Sequence, residues 1–586
     1  MPRSRAGTCP FDEEIKLIEN LHTGGDSVVD VLSMAGIDVV FGIPSIHNLP
    51  IYDALRRRGL RTVTVRHEQT AAGAADGFSR ISGNLGVFLT STGPGAANAM
   101  GGLLEAFLSG SPVLHITGQI ETEFIDQGKG FIHEVPNQPE MLESLSKAVL
   151  RVRKPEEIAS VVADAVAAAL TTPTGPVSVE IPIDLQYVAT PVPPPDLLER
   201  RAPSSPPSPR PDLLRQAIKL IEMSRCPIVW AGGGSIAAGA QAEVAELCHL
   251  RGAALITSAN GRGIMDERDP LCIGNFPVDP DVRSLFGDAD LLIAIGTRYQ
   301  GPNTDNWKLR LPDTILQIDV DPDRPARNYK ATLALQGDAR AVLQSLIGDG
   351  EGLGTTHNTE WRERIASVKM ATRNRLREFI GAQEELLDVL STLLEPDTPV
   401  VKDATIPAYT WGNRLLPVSR PRTSIVPNGF AIGLGLPHAI GASLASQCGG
   451  HESSDLQSAV LIVGDGGFML AATDLATLAS ESLPLLVIVF VDGGYGILRN
   501  IQDSQYGGVS GRIGVDLNEP DFVRLSTALG VQAEKVSTAA AFRDAVQVAL
   551  QSRLPHLIAV QCEEIGPMAD SFIGSSRPPL NARLRP

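Results

Sequence analysis

The sequence predicts an α/β protein built from three doubly wound parallel-sheet domains. The chain has 586 residues, more than one hydrophobic core usually supports, so about three domains are expected. Along most of it, short apolar runs alternate with amphipathic segments at helical spacing, which is the pattern of strand–helix–strand units. A proline- and serine-rich stretch (191–211) and a glycine- and threonine-rich stretch (349–360) interrupt this alternation and separate three regions.

These interruptions predict the domain limits. We expect an N-terminal arm at residues 1–22, a first domain at 23–190, a linker at 191–211, a central domain at 212–348, a linker with a helix at 349–382, a third domain at 383–565 and a C-terminal tail at 566–586. The tail could be loose or could fold over a site.

Within the domains, the hydrophobic periodicity predicts individual elements. In the first domain it predicts helices at Ser27–Met34, Ile51–Arg58, Gln69–Ser79 and Ala97–Ser109, and strands at Val39–Gly42, Arg61–Val65, Leu85–Ser91, Val113–Thr117 and Val177–Ile181. The central domain has predicted strands at Ile228–Ala231, Ala254–Thr257, Leu291–Ile295 and Ile315–Asp319. The third domain contains two apolar strands, Leu461–Val463 and Leu485–Val491, with an amphipathic helix between them.

Composition narrows the class of ligand. The formal charge of −17 and the absence of a long lysine or arginine block argue against nucleic acid or an anionic membrane as partner. No apolar run reaches membrane-spanning length, and the first residues lack the continuous apolar region of a secretion signal. The six cysteines are far apart with no CxxC pair, so neither a zinc site nor a disulfide framework is indicated and a cytoplasmic location is expected. A small molecule is therefore the expected ligand.

The most informative stretch lies in the third domain. Its two apolar strands are followed by Gly464-Asp465-Gly466-Gly467 and by Asp492-Gly493-Gly494-Tyr495-Gly496. In a right-handed crossover both strand ends lie at the same edge of the sheet, so Asp465 and Asp492 can converge on one hard cation. The glycines allow backbone amides to approach an anion, and the helix that follows offers free N–H groups to a phosphate. Together these features predict a metal-bridged diphosphate.

This pair of motifs resembles the thiamine-diphosphate motif of the acetolactate synthase, pyruvate decarboxylase and benzoylformate decarboxylase superfamily. The resemblance covers the chain from about Asp26 to Glu564 and implies pyrimidine-binding, central and diphosphate-binding domains in that order. It implies that Asp465, Asp492 and the carbonyl of Gly494 hold Mg²⁺ on the diphosphate. The sequence departs from the usual Asn-Asn pair, since Val491 precedes Asp492, but an aspartate still supplies an oxygen ligand.

The same resemblance implies the remaining site residues. Glu68, in the segment HEQTAAGAADGFSR, matches the cofactor-activating glutamate, whose carboxyl favours the imino form of the thiamine pyrimidine; the alternative is a carboxylate that only favours a helix start. Ile432 matches the bulky residue that holds the cofactor in its bent form, the alternative being a core residue. Cofactor contacts are implied, with structural turns as the alternative for the loop positions, at Gly42, Ser45, Ser91, Asn98, Thr405, Gly433, Gly466, Gly467, Tyr495 and Gly496.

His133 and the central domain carry further expectations. His133 lies where acetolactate synthases have a glutamine facing the reactive carbon, so a proton relay or a solvated loop histidine are both open. His115 is expected in the core. Acetolactate-synthase-like relatives hold FAD or ADP at the places of Gly232–Ser235, Gly296–Arg298 and Asp319–Asp321. The sequence has no GxGxxG there, and a central domain that binds no nucleotide is the alternative.

The resemblance implies a homodimer or homotetramer with shared active sites that decarboxylates a 2-oxo acid. The product is an aldehyde or, after attack on an acceptor carbonyl, a carboligation product as in acetolactate synthase. A simple decarboxylase of the benzoylformate or guanidino-oxo-acid type is the alternative. Two hypotheses from other functional classes remain. One is a catalytically silent regulatory homologue, and the other is a non-thiamine enzyme that uses an Asp–Mg²⁺–phosphate site.

Overall fold

The computed structural model describes residues 21–202, 206, 208–348, 353–356, 358–448 and 459–574. The predicted N-terminal arm, apart from its last two residues, and residues 575–586 of the tail lie outside these ranges. Over the described residues the chain forms three parallel sheets of six strands each, which confirms the predicted fold class. The domain limits stay predictions.

The chain divides into two compact units. Of the described residues, the first unit contains those up to 75 together with 85–202, and the second contains 76–84 together with those from 206 onward. The first sheet belongs to the first unit. The second and third sheets belong to the second unit, where buried apolar residues of the second sheet and of part of the third form one continuous cluster.

The first sheet has the order β2-β1-β3-β4-β6-β5. Its strands are β1 (Val39–Gly42), β2 (Arg61–Thr64), β3 (Gly86–Thr90), β4 (Val113–Gln119), β5 (Ala148–Arg151) and β6 (Val177–Pro182). The α-helices around it are Gly24–Met34, Leu49–Arg58, Glu68–Ser82, Pro94–Asn98, Met100–Ser109, Gln138–Glu143, Ile158–Leu170 and Ile183–Tyr187. The strand pattern did not predict β5, because its side chains are only half-buried at the edge of the sheet.

The second sheet has the order β12-β11-β10-β7-β8-β9, in which the chain starts at the centre and builds first to one side and then to the other. Its strands are β7 (Pro227–Ala231), β8 (Ala254–Thr257), β9 (Cys272–Gly274), β10 (Leu291–Ile295), β11 (Ile315–Asp319) and β12 (Leu333–Gln336). Its α-helices are Pro211–Met223, Gly233–Ala237, Gln241–Arg251, Pro280–Asp288 and Ala339–Ile347. The helix Thr359–Ile380 follows it.

The third sheet has the order β14-β13-β15-β16-β18-β17, the same topology as the first. Its strands are β13 (Val400–Lys402), β14 (Ser424–Ile425), β15 (Ala459–Gly464), β16 (Leu485–Val491), β17 (Gln532–Val536) and β18 (His556–Gln561). Its α-helices are Glu384–Leu393, Gly435–Cys448, Asp465–Met469, Leu475–Glu481, Gly496–Gln505, Phe522–Ala528, Ala539–Ser552 and Cys562–Ile565, and a π-helical turn covers Ala408–Gly412. Across the described ranges, every helix is too short or too polar to cross a lipid bilayer.

Candidate functional site

The two acidic strand ends of the third sheet lie next to each other. Strands β15 and β16 are paired in parallel, with Val463 opposite Val489 and Gly464 opposite Phe490. Asp465 follows the first strand directly and Asp492 follows the second. Both carboxylates therefore lie at the carboxyl edge of the sheet, where ligands bind in open α/β folds.

Asp465 organises the loop that follows β16. Its Oδ2 accepts N–H groups from Asp492 at 3.2 Å, Gly493 at 2.8 Å and Gly494 at 3.2 Å, and its Oδ1 accepts the N–H of Gly466 at 2.7 Å. The side chain is buried, and burial raises its pKa while these backbone hydrogen bonds oppose the rise. One aspartate thus fixes the backbone that carries the other.

Asp492 has the chemistry of a cation ligand. Burial and the nearby negative charge of Asp465 raise its pKa to about 6. A buried carboxylate on Asp465 and a half-buried one on Asp492, with few compensating positive charges, favour a bound cation, and oxygen ligands suit Mg²⁺. Over the described ranges no group of three or more His, Cys, Asp or Glu side chains could hold a metal, so Mg²⁺ here needs the Gly494 carbonyl and oxygens of its ligand as well. The residues present fit that arrangement.

Glycines leave the room for a ligand at this edge. A Cβ on Gly466 would lie 2.7 Å from the Tyr495 ring, and one on Gly467 would lie 3.3 Å from Cγ1 of Ile432. A Cβ on Gly496 would overlap Oδ2 of Asp492. Any side chain at these three positions would fill the space beside the aspartates, so glycine at each position keeps that space open.

Ile432 is held in place by Asp403, which lies at the end of β13. The buried Asp403 carboxylate accepts N–H groups from Gly433 at 3.1 and 3.2 Å and from Gly435 at 2.8 Å. It also accepts the N–H of Ala404 at 2.6 Å. Burial raises the pKa of Asp403, and these hydrogen bonds stabilise its charged form. Gly433 has a φ of +88°, which lets the chain turn sharply after Ile432.

Most of the predicted residues of the third domain face one cavity of about 430 Å³ within the second unit. A cavity of this size suits a small organic ligand. The predicted residues on its wall are Thr405, Ile432, Gly466, Gly467, Asp492, Gly494, Tyr495 and Gly496. Asp465 and Gly433 support these residues from behind through the hydrogen bonds described above. Phe572, Ile573 and Gly574 of the predicted tail also line the cavity.

In the first unit, Glu68 begins a helix beside the loop after β3. Its Oε2 accepts a hydrogen bond from Nδ2 of Asn98 at 3.0 Å. A Cβ on Gly95 would lie 3.4 Å from Oε1 of Glu68, so the loop approaches the carboxylate closely. The charge of Glu68 adds to burial in raising the pKa of Tyr52, whose buried hydroxyl has no hydrogen-bond partner among the described residues. Sequence reasoning missed Tyr52.

His133 lies in a small polar cluster that the sequence did not predict as a unit. The hydroxyl of Ser91 is 3.1 Å from Nδ1 of His133 and 3.3 Å from Nδ1 of His47, and the two rings are 5.1 Å apart. His133 has a φ of +62°, unusual for a residue with a side chain, and its carbonyl lies against Gly93. Burial, with a smaller effect of His133, lowers the pKa of His47 to about 4. His47 is the residue that motif matching missed, because only the fold brings it to Ser91.

The other predicted positions of the first domain have mainly local contacts. Ser45 begins a turn in which its N–H donates to Oδ1 of Asn48 at 2.7 Å. Gly42 ends β1, and a Cβ there would meet the Tyr52 hydroxyl at 2.5 Å. His115 is buried, as expected, between Thr90 and Ser178, and burial lowers its pKa to about 3.

The predicted nucleotide positions of the central domain follow adjacent strands β7, β10 and β11. The glycine turn after β7, Gly232–Ser235, packs against the backbone of the turn after β10. The N–H of Gly234 donates to the carbonyl of Gly296 at 3.0 Å, and a Cβ on Gly234 would lie 2.8 Å from the Gly296 Cα. Backbone packing alone therefore accounts for these glycines, and FAD or ADP binding stays a prediction.

The fold and the site define an α/β protein with an acidic, glycine-rich cavity at the carboxyl edge of its third sheet. Comparison with known families gives the class. Three models match in order: "Thiamine pyrophosphate enzyme, N-terminal TPP binding domain" at residues 22–141, the central domain at 214–346 and the C-terminal TPP binding domain at 407–560. The chain belongs to the thiamine pyrophosphate enzyme family, which confirms the resemblance and its thiamine diphosphate cofactor.

Individual relatives match over almost the whole chain. The "Probable acetolactate synthase large subunit" of Methanocaldococcus jannaschii is 30% identical over 555 residues, covering 92% of this chain and 91% of the relative. The "Probable 2-ketoarginine decarboxylase AruI" of Pseudomonas aeruginosa is 32% identical over 521 residues, covering 87% and 88%. A solved structure described as a thiamin diphosphate-dependent enzyme, from Mycobacterium smegmatis, has a TM-score of 0.72 at 22% identity and covers 92% of this chain and 99% of its own, which supports the fold.

Proposed function

We propose that the protein is a Mg²⁺- and thiamine-diphosphate-dependent enzyme that decarboxylates a 2-oxo acid and either releases an aldehyde or joins the remaining carbons to an acceptor carbonyl. Family membership and the names of the relatives support this class. The main structural support for the proposed cofactor site is that Asp492, Gly494, the glycine loops and Ile432 all line one cavity.

In the proposed site, Asp465, Asp492 and the Gly494 carbonyl hold Mg²⁺. Asp465 also fixes the loop geometry, because three of its four hydrogen bonds are to the backbone of residues 492–494. Gly467 presents its N–H group to the diphosphate, while the N–H of Gly466 donates to Asp465 and its missing side chain leaves room for the ligand. Ile432, anchored through Asp403, supports the bent form of the cofactor from the cavity wall. When bound, thiamine diphosphate supplies a nucleophilic carbon for the keto group and accepts the electron pair released as CO₂ leaves.

Glu68 is proposed to hold and move the proton at the pyrimidine nitrogen N1′. Its hydrogen bond from Asn98 fixes the direction of the carboxylate and leaves Oε1 available. In the families that the sequence resembles, this glutamate acts on a cofactor whose diphosphate is bound by another subunit. We therefore propose a homodimer as the smallest active unit, with a homotetramer as its symmetric extension. The cytoplasmic location stays a prediction.

His133 is proposed as the proton donor or acceptor for the substrate, with Ser91 and His47 as positioning residues. His47 is kept neutral by burial, so it can accept or donate one hydrogen bond to the Ser91 hydroxyl without adding a charge. Ser91 in turn contacts Nδ1 of His133, which leaves the other ring nitrogen free to exchange a proton. A residue that can protonate the carbon left after CO₂ departs favours aldehyde release. The position of His133 beside Ser91 therefore supports a decarboxylase as the alternative to a carboligase.

Release of ¹⁴CO₂ from a panel of labelled 2-oxo acids tests the proposal. We expect release that requires both thiamine diphosphate and Mg²⁺, and product trapping then separates aldehyde from carboligation product. Tight cofactor binding without release from any 2-oxo acid would support a silent homologue instead. Release that does not depend on thiamine diphosphate would reject the proposed chemistry.

A further inference from the structure

The cavity contains one arginine whose charge the protein leaves unmatched. Arg414 follows the π-helical turn Ala408–Gly412, is half-buried in the second unit and lines the cavity. Burial lowers its pKa, which means that the protein environment disfavours its charge. Within the described ranges, its guanidinium makes no hydrogen bond or ion pair with the protein.

The acidic group that influences Arg414 is already committed elsewhere. Asp279 opposes the fall in the pKa of Arg414. Its two carboxylate oxygens accept Nη1 of Arg375 at 2.9 and 3.0 Å, the hydroxyl of Thr372 at 3.0 Å and the N–H of Asp281 at 3.0 Å. Three of these hydrogen bonds are on Oδ1 and one is on Oδ2, so the charge of Asp279 is paired with Arg375. Within the described residues, Asp279 makes no hydrogen bond or ion pair with Arg414.

The cavity wall that contains Arg414 also contains Asp279, and the rest of it is suited to an organic chain. Asn275 donates to the carbonyl of Asn413 at 3.2 Å, and Oδ1 of Asn413 is buried without a partner among the described residues. Apolar side chains, including Phe276, Val278 and Ile406, make up much of the remaining surface. An unpaired guanidinium in such surroundings is costly unless an anion reaches it, and its planar fork matches a carboxylate.

We propose that Arg414 binds a carboxylate at the end of the substrate chain remote from the keto group, so that the enzyme prefers dicarboxylic 2-oxo acids. This inference rests on the proposed function. The reacting carboxylate is a poor candidate for this partner, because its negative charge is lost as CO₂ leaves and a cation paired with it would stabilise the starting state over the transition state. A distal carboxylate keeps its charge throughout, and pairing it with Arg414 improves binding without that penalty.

The same argument disfavours a cationic chain. Arg414 would repel the guanidinium of 2-ketoarginine, the substrate named for one relative that is 32% identical. We therefore expect this chain to differ from that relative in substrate, and Arg414→Gln to reduce the discrimination against 2-ketoarginine.

Steady-state kinetics of the full-length holoenzyme test the proposal with pairs of equal chain length: 2-oxoglutarate against 2-oxopentanoate, and 2-oxoadipate against 2-oxohexanoate. We expect kcat/KM of the wild type to favour one of the diacids by about 10- to 100-fold, the range of a charge-assisted pair. Arg414→Gln should remove this preference mainly through KM, and Arg414→Lys should retain part of it. Arg364→Gln is the matched control, because Arg364 pairs with Asp288 and neither of these two residues lines the cavity.

Calorimetric binding of glutarate and pentanoate gives a readout that does not depend on turnover. Weaker glutarate binding in Arg414→Gln, with unchanged thermal unfolding and Mg²⁺–thiamine diphosphate binding, would support the carboxylate site. If the same protein turned over no 2-oxo acid, the proposed function would fail while the carboxylate site would stand. Equal kinetics of diacids and monoacids in the wild type would overturn the inference while leaving the proposed function intact. Binding of ADP that is lost in Arg414→Gln would also overturn it, since the anion would then be a phosphate.

Discussion

Gly496 sets the position of the proposed metal ligand Asp492, and Gly496→Ala tests that role without removing a carboxylate. A Cβ at position 496 would overlap Oδ2 of Asp492, and it would lie 3.2 Å from Cδ1 of Ile406 on the other side. The carboxylate must then move by roughly 1 Å to restore van der Waals contact. Gly496 is the first residue of the helix Gly496–Gln505, where alanine is well tolerated by the backbone.

The displacement should weaken Mg²⁺ binding more than it affects folding. Active sites lose function when their geometry is off by about 1 Å, and loss of support for a metal ligand costs about 10- to 100-fold in metal affinity. That factor corresponds to roughly 1.4 to 2.7 kcal/mol of binding free energy. We expect the Mg²⁺ concentration needed for half-maximal thiamine diphosphate binding to rise by this factor.

Titration of the apoenzyme with Mg²⁺ at fixed thiamine diphosphate, followed by the change in intrinsic fluorescence or by calorimetry, measures this effect. Gly287→Ala is the matched control, because a Cβ at that helical glycine meets nothing within 4 Å. An Mg²⁺ requirement in Gly496→Ala equal to that of the control would contradict the assignment of Asp492 as a metal ligand.

Two further predictions concern the first unit. Glu68→Gln should leave Mg²⁺ and thiamine diphosphate binding within several-fold of the wild type. It should slow proton exchange at the cofactor C2 by about 100-fold or more, because general acid–base groups contribute about 10²- to 10⁴-fold to a rate. NMR exchange rates measure this effect, and substitution of the exposed residue Glu156 with Gln is the control. His115 stays neutral when folded, with its pKa lowered from 6.5 to about 3, so the unfolded chain binds the extra proton and stability falls as the pH drops below 6.5. Replacing it with Asn should therefore reduce the stability lost between pH 7.5 and pH 5 by roughly 2 kcal/mol. Denaturant unfolding at the two pH values checks this, and an equal loss in the wild type and the variant would argue against a buried neutral His115.

The sequence predicted the central strands better than the edges of the sheets. Strands such as Leu291–Ile295 are buried on both faces and read as continuous apolar runs, whereas β5 and β12 lie at sheet edges with half-exposed side chains and carry a weak pattern. The aspartate motif could be predicted from the sequence because its residues are close in sequence and end adjacent strands. His47 could not be predicted, because only the folded chain brings it to Ser91. Arg414 could not be predicted either, because its role depends on a cavity wall that forms only on folding.

The shared topology of the first and third sheets explains why their proposed site residues occur where they do. In both sheets the first and third strands in chain order are neighbours, and the chain winds in opposite directions from them. In the third sheet, Thr405 follows β13, Asp465 follows β15 and Asp492 follows β16; in the first, His47 follows β1, Ser91 follows β3 and His133 follows β4. Ligands bind outside the carboxyl ends of strands at such switch points. The same three strand ends therefore carry an acidic, glycine-rich site suited to a metal diphosphate in one sheet and a histidine–serine site suited to proton transfer in the other.

This parallel placement is a reason to test His47, Ser91 and His133 as one group. Ser91→Ala should lower kcat as much as His133→Asn does, while unequal effects would restrict the chemistry to His133 alone.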